Sequence, residues 1–63
     1  MLEQALLREQ FQALLAAEQK AEQIYADLAA TLSDRALREQ VLQLQREKLR
    51  HIQLTERLLE IVA

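Results

Sequence analysis

The segment Thr31-Leu32-Ser33-Asp34 decides the fold, because it interrupts a regular row of apolar side chains. Before it, the row runs from Leu7 in alternating steps of four and three, and after it the row resumes at Leu37, following a step of five. Alternating steps of four and three are the spacing of one face of a packed helix. The break therefore predicts two helices, at about residues 3–31 and 34–61, joined by a tight turn at this segment.

The turn segment also carries the signals of a helix start. Ser33 is a good N-cap, since its hydroxyl is able to accept a hydrogen bond from an unpaired backbone N–H. Asp34 would then occupy the first helical position, where the helix dipole favours an anion, and Leu32 and Leu37 have the spacing of a hydrophobic staple. The alternative is one uninterrupted helix in a long coiled coil. The absence of glycine leaves that alternative open, because helices often end at one.

The composition is that of one small all-α unit covering residues 1–63. The chain has no Gly and no Pro, and its abundant residues are strong helix formers. The absence of Cys excludes disulfides, thiolate metal sites and cysteine nucleophiles. A single helical hairpin of this size has only a shallow core, so we expect it to self-associate.

Charge and hydropathy argue against two classes of partner. The net charge is −2, acids and bases are interleaved, and aromatic residues make up 3% of the chain, so nucleic-acid binding is not expected. No stretch approaches the roughly 18 apolar residues of a membrane span. The first turns contain Glu3, Arg8 and Glu9, which is unlike a signal peptide. We therefore expect a cytoplasmic protein with neither a membrane nor a nucleic acid as its partner.

Four polar residues stand in the two apolar rows: Glu18, Tyr25, Lys48 and His51. A charge in such a row is costly to bury unless it is paired or binds a metal. In a hairpin that reverses near residue 33, positions whose numbers sum to about 66 face each other, so Glu18 faces Lys48. His51 lies one turn from Lys48, and Tyr25 lies two turns from Glu18. We predict that these four residues form a polar network at the middle of the hairpin.

A second apolar row flanks the first on both helices: Leu42, Leu49, Ile52 and Leu59 on the second helix, with Ala17, Ile24 and Leu28 on the first. One hairpin cannot cover both rows. Two hairpins related by a two-fold axis would cover them by forming an antiparallel four-helix bundle. The predicted fold is therefore an all-α antiparallel two-helix hairpin that dimerises into a four-helix bundle.

Two segments of the chain resemble the helices of a known family. The stretch from Ala17 to Tyr25 resembles the first-helix motif of ferritin-like and rubrerythrin-like proteins, which has a metal-binding Glu, a small residue three positions on and an aromatic residue seven positions on. The stretch from Leu44 to Leu54 resembles the second-helix motif. A single hairpin that dimerises looks most like the encapsulated ferritins, so the resemblance implies a ferritin-like homodimer.

The resemblance also implies a metal site, with one departure. In the family, two helices each supply a Glu and the other two each supply Glu-x-x-His, a ligand set that suits iron. By the resemblance, Glu18 matches the first Glu and His51 matches the His. The position three before His51 should be Glu, but it is Lys48, whose ammonium is a poor ligand and repels cations.

Three interpretations of these polar residues follow. In the first, Lys48 replaces the metal and pairs with Glu18. In the second, an altered iron site survives, in which Glu47 and His51 bind one ion together and Glu18 or Glu22 supplies a further oxygen. In the third, the residues form only a polar layer that fixes register, as Asn does in coiled coils.

Each interpretation implies a function. The first implies a structural, non-catalytic homodimer with a degenerate di-iron site. The second implies a small iron-binding protein or ferroxidase with a dimer-shared site at Glu18 and His51. The third fits a coiled-coil interaction module.

Overall fold

Two long α-helices and the turn between them make up residues 2–62, the part of the chain that the computed structural model describes. Helix α1 is Leu2–Thr31 and helix α2 is Arg35–Val62. They pack side by side in opposite directions as a hairpin with dimensions of 50 × 14 × 10 Å. The predicted all-α hairpin is confirmed, and the single uninterrupted helix is wrong.

Helix α2 is capped by Asp34 rather than by Ser33. The backbone N–H of Leu37 donates to Asp34 Oδ1 at 3.0 Å, and the N–H of Arg38 donates to the Asp34 carbonyl at 3.0 Å. These are the two bonds of an N-cap residue, and a carboxylate there also meets the positive end of the helix dipole. The prediction that Ser33 is the cap is therefore wrong by one residue. The same shift moves Leu37, which is exposed, out of the staple position.

The cap assignment predicts unequal effects for two neighbouring substitutions. Asp34→Ala should lower the free energy of unfolding by about 1 kcal/mol, because it leaves N–H groups of the first turn without an acceptor. Ser33→Ala should change it by less than about 0.5 kcal/mol, because this exposed side chain lies outside the cap. Urea denaturation of both variants provides the measurement, and a larger loss for Ser33→Ala would contradict the assignment.

Every second member of each predicted apolar row lies at the contact between the helices. These members are half-buried or buried: Phe11, Glu18, Tyr25 and Leu32 on α1, and Val41, Lys48, Thr55 and Val62 on α2. Leu14 and Leu44 were predicted in the inner rows, yet they are 44% and 41% exposed. Residues from the flanking positions are half-buried as well: Leu15, Glu22 and Ala26 on α1, and Leu42, Gln45, Ile52 and Leu59 on α2. The contact therefore follows every second member of each predicted row, together with a flanking position on each helix.

The interior of the hairpin is shallow, as expected for a pair of helices. Within residues 2–62, the buried side chains are Ala29, Thr55 and Val62, and no large side chain is fully buried. A fold this small normally needs a further source of stability, such as association with another chain. Neither α1 nor α2 carries an apolar run long enough to span a lipid bilayer.

Candidate functional site

A cluster of three polar side chains joins the helices near the middle of the hairpin. Lys48 Nζ lies 3.3 Å from Glu18 Oε2 and 3.4 Å from Glu18 Oε1. His51 Nδ1 lies 3.1 Å from the same Oε2. We call these three residues the Glu18 cluster. The predicted register, in which Glu18 faces Lys48, is the register of the structure.

The cluster forms because α2 presents two donors on one side, three residues apart, to a single carboxylate on α1. The side chain of Glu18 is 16% exposed, that of Lys48 is 26% exposed and that of His51 is 51% exposed. The carboxylate is thus the most sheltered member, and its charge is compensated by the ammonium beside it. This arrangement avoids the penalty for burying an unpaired charge.

The contact between His51 and Glu18 determines which ring nitrogen of His51 donates a hydrogen bond. An ionised carboxylate only accepts hydrogen bonds, so a proton on Nδ1 of His51 must be donated to Glu18. The other ring nitrogen, Nε2, remains for a further partner on the half-exposed side of the ring. The carboxylate therefore orients the imidazole, as a second-shell carboxylate does for many metal-binding histidines.

Two further hydrogen bonds support the cluster and were not predicted from the sequence. One turn closer to the loop, Gln45 Nε2 donates to Glu22 Oε1 at 2.9 Å. Behind the cluster, the buried Thr55 donates its hydroxyl to the His51 carbonyl at 2.8 Å. The numbers of Glu22 and Gln45 sum to 67, so the hairpin register was the available signal for that pair.

The remaining predicted site residues lie less centrally. Glu47 is exposed on α2, one turn before His51. Tyr25 is half-buried on α1, two turns beyond Glu18 toward the loop. The hydrogen bonds of the cluster itself join Glu18, Lys48 and His51. The role of Glu47 as a metal ligand and the place of Tyr25 in the network stay predictions.

A cavity of about 220 Å³ opens beside the cluster on one side of the hairpin. Two leucines, Leu14 from α1 and Leu54 from α2, line it together with Glu18, His51 and Thr55. Since the cavity is shared by both helices, Leu14 and Leu54 mark the same side of the hairpin. That side is mostly apolar and is uncovered in a single chain.

The side chains of one chain do not fit a di-iron centre. Among residues 2–62, no group of three or more His, Cys, Asp or Glu lies close enough together to hold a metal ion. Glu18 and His51 supply two candidate ligands, but the Lys48 ammonium already lies 3.3 Å from the carboxylate. Any metal bound at Glu18 and His51 would need further ligands, either water or side chains of a second copy of the chain.

No family model, curated protein or solved structure matches this chain. The resemblance to ferritin-like proteins therefore rests on the two helix segments quoted above. The two features of the chain that bear on function are the Glu18 cluster and the uncovered apolar side of the hairpin.

Proposed function

We propose that the chain is a structural, non-catalytic helical module that forms a ferritin-like homodimeric four-helix bundle, with Lys48 in the place of the metal. The observation that carries this proposal is the double contact of the Glu18 carboxylate with Lys48 Nζ and His51 Nδ1. Both donors belong to α2, so the contacts hold the two helices in one register. A polar layer with this effect needs no substrate and no cofactor.

The replacement of a metal by Lys48 is supported by charge. A carboxylate inside a helical bundle needs a cation, and either a metal ion or an ammonium supplies one. Here Lys48 lies within 3.4 Å of both carboxylate oxygens of Glu18. The same carboxylate also accepts from Nδ1 of His51, so the charge of Glu18 is compensated and its oxygens are hydrogen-bonded without a metal.

The dimer is supported by an apolar face that runs the length of the hairpin. We define the apolar face by two rows with seven-residue steps: Leu7, Leu14, Ala21 and Leu28 on α1, and Leu37, Leu44, His51 and Leu58 on α2. Residues seven apart on a helix lie on nearly the same side, and the leucines of both rows are all exposed. Contiguous exposed apolar surface of this extent marks an interaction site.

The opposite side of the hairpin is mostly polar, which favours one partner per chain rather than a growing stack. Exposed polar residues follow that side of both helices: Gln12, Gln19, Gln23 and Asp27 on α1, with Arg46, Gln53, Glu56 and Glu60 on α2. Leu49 is the exception among them. A two-fold related copy would therefore close the apolar faces and leave the polar sides in water.

A second candidate function, an iron-binding protein or ferroxidase, is favoured by the approach of Glu18 to His51. A dimer would bring two copies of this pair to one bundle, and the exposed Glu47 of each copy lies one turn from His51. Those groups would offer carboxylate and imidazole ligands of the kind that iron binds. The two Lys48 ammonium groups oppose this candidate.

Metal uptake distinguishes the two candidates. The purified protein is loaded with Fe²⁺ or Mn²⁺, desalted and analysed for metal, beside Lys48→Glu and beside Lys20→Glu, which changes the other, exposed lysine. We expect wild type and Lys20→Glu to retain far less than one ion per dimer, because the ammonium competes for the carboxylate. We expect Lys48→Glu, which restores Glu-x-x-His before His51, to retain more.

Two other outcomes would redirect the proposal. Stoichiometric uptake by wild type that is lost in His51→Ala would establish the iron-binding candidate. An absence of uptake in Lys48→Glu as well would remove the family interpretation of the site. The homodimer would then be tested by the molecular mass in sedimentation equilibrium. A compact and stable monomer would contradict it.

A further inference from the structure

We propose that a second copy of the chain docks on the apolar face with its loop at the opposite end of the bundle, so that its Ala21 and Leu44 cover the cavity beside His51. This inference rests on the proposed homodimer and specifies its geometry. In this geometry the partner chain fills the cavity. The geometry also explains why Ala21 and His51 stand at two positions of the apolar face where the other positions are leucine.

Two arrangements would cover the apolar face by a two-fold axis. If the axis runs along the helices, both loops lie at the same end and α1 packs against α2 of the partner. If the axis runs across the helices, the loops lie at opposite ends and each helix packs against its own counterpart. Neighbouring helices are antiparallel in both arrangements, so helix direction alone does not choose between them.

The apolar face has four layers, and their composition distinguishes the two arrangements. From the loop to the open end, the layers pair Leu28 with Leu37, Ala21 with Leu44, Leu14 with His51, and Leu7 with Leu58. The residue numbers in every layer sum to 65, one less than the Glu18–Lys48 pair. The two outer layers contain only leucine. The two inner layers contain one small residue and one polar ring.

Loops at the same end would place each layer against its own copy. One inner layer would then hold two alanines, and the other would hold two imidazoles with their two cavities of about 220 Å³ facing each other. Protein interiors are packed to nearly uniform density, and unfilled volume is strongly destabilising. This arrangement therefore leaves both inner layers poorly packed.

Loops at opposite ends would place the Leu14–His51 layer of one chain against the Ala21–Leu44 layer of the other. Both inner layers would then hold one alanine, two leucines and one histidine, so that their volumes are equal. The partner's Leu44 would enter the cavity lined by Leu14 and Leu54, and the partner's Ala21 would leave room for the imidazole. The outer layers would be all leucine in either arrangement.

The size of the face agrees with a second copy as the occupant. The whole broad side of the hairpin measures 50 × 14 Å, or about 700 Å² in projection, close to the roughly 800 Å² per partner of a standard stable interface. The four layers of the apolar face extend over about 32 Å of that length at 1.5 Å of rise per residue. The charges nearest the axis, Glu18 and Lys48, are already paired within each hairpin. Charges at the rims contribute little compared with core packing.

Disulfide trapping tests the arrangement, because the described chain has no cysteine of its own. Single variants Leu37→Cys and Leu58→Cys are mixed, refolded together and oxidised under mild conditions. Since Leu37 of one chain would lie beside the partner's Leu58, we expect most of the mixed dimer to become covalently linked. The matched control mixes Leu28→Cys with Leu37→Cys, which would be neighbours between chains only if both loops lay at the same end.

Linkage of the control pair in preference to the test pair would overturn the proposal. If neither pair links while sedimentation still gives a dimer, the chains associate through another surface, and the geometry fails while the proposed homodimer survives. If the wild-type protein is a monomer, both the geometry and the homodimer fail.

A spin-label measurement repeats the test without altering the apolar face. Labels are attached at Ser33→Cys, in the exposed turn. With 1.5 Å of rise per residue, loops at opposite ends should place the two labels about 45 Å apart. A separation of roughly 10–20 Å, the spacing of neighbouring helices, would instead place both loops at the same end and overturn the proposal.

Discussion

Replacing Leu44 with glutamate is expected to abolish dimerisation and, with it, most of the helical structure at micromolar concentration. Leu44 lies in an inner layer of the apolar face and is 41% exposed in the single chain. In the proposed dimer it becomes buried, and a carboxylate at that position would have no cationic partner. Burying an unpaired charge costs on the order of 3 kcal/mol or more, which weakens association at least about 100-fold.

The control for this experiment is Gln53→Glu, which adds the same charge on the polar side of α2. It should leave both the mass and the helical circular dichroism unchanged. Sedimentation equilibrium and far-ultraviolet dichroism over a concentration series provide the two measurements. A Leu44→Glu variant that stays a fully helical dimer would show that the apolar face is not the interface.

Replacing Lys48 with methionine is expected to lower the free energy of unfolding by about 2 kcal/mol. Exposed ion pairs contribute roughly 0–1 kcal/mol, whereas breaking a buried pair costs about 3–5 kcal/mol. The pair lies between these limits, because the Lys48 side chain is 26% exposed and that of Glu18 is 16% exposed. His51 remains 3.1 Å from the carboxylate, so Glu18 keeps one donor and the loss is reduced.

A double-mutant cycle shows whether that loss belongs to the pair. Glu18→Gln combined with Lys48→Met should destabilise by about 1 kcal/mol less than the two single changes added together, since the second change removes no remaining ion pair. Lys20→Met, at the other, exposed lysine, should stay within about 0.5 kcal/mol of wild type. Strictly additive effects at Glu18 and Lys48 would mean that the ion pair contributes nothing.

The hairpin was predictable because it depends on one interruption in the row of apolar residues. The step of five between Leu32 and Leu37 places a turn there, and the numbering of a hairpin then brings Glu18 to Lys48. The cap was less predictable, since Ser33 and Asp34 both cap helices well. Helix ends are uncertain by a residue or two in any spacing pattern, and here the backbone turns one residue later.

The residues at the helix contact were harder to predict, because each helix carries two neighbouring apolar rows and either row could face the other helix. A hydrophobic pattern identifies both rows but not which members of each row a single pair of helices buries. Gln45 lies outside the predicted row and makes a hydrogen bond at the contact, yet as a polar residue it adds nothing to a hydrophobic pattern. His51 was placed correctly near Glu18, since it lies one turn from Lys48 on the same helix.

The shallow interior of the single hairpin links folding to the amount of protein present. No large side chain is fully buried in the described chain, and six leucines of the apolar face are exposed. In the proposed dimer, folding and association would therefore be one bimolecular event, and the melting temperature would rise with concentration. Dilution would then shift the chain toward the unfolded monomer, which proteases cleave more readily than a folded bundle.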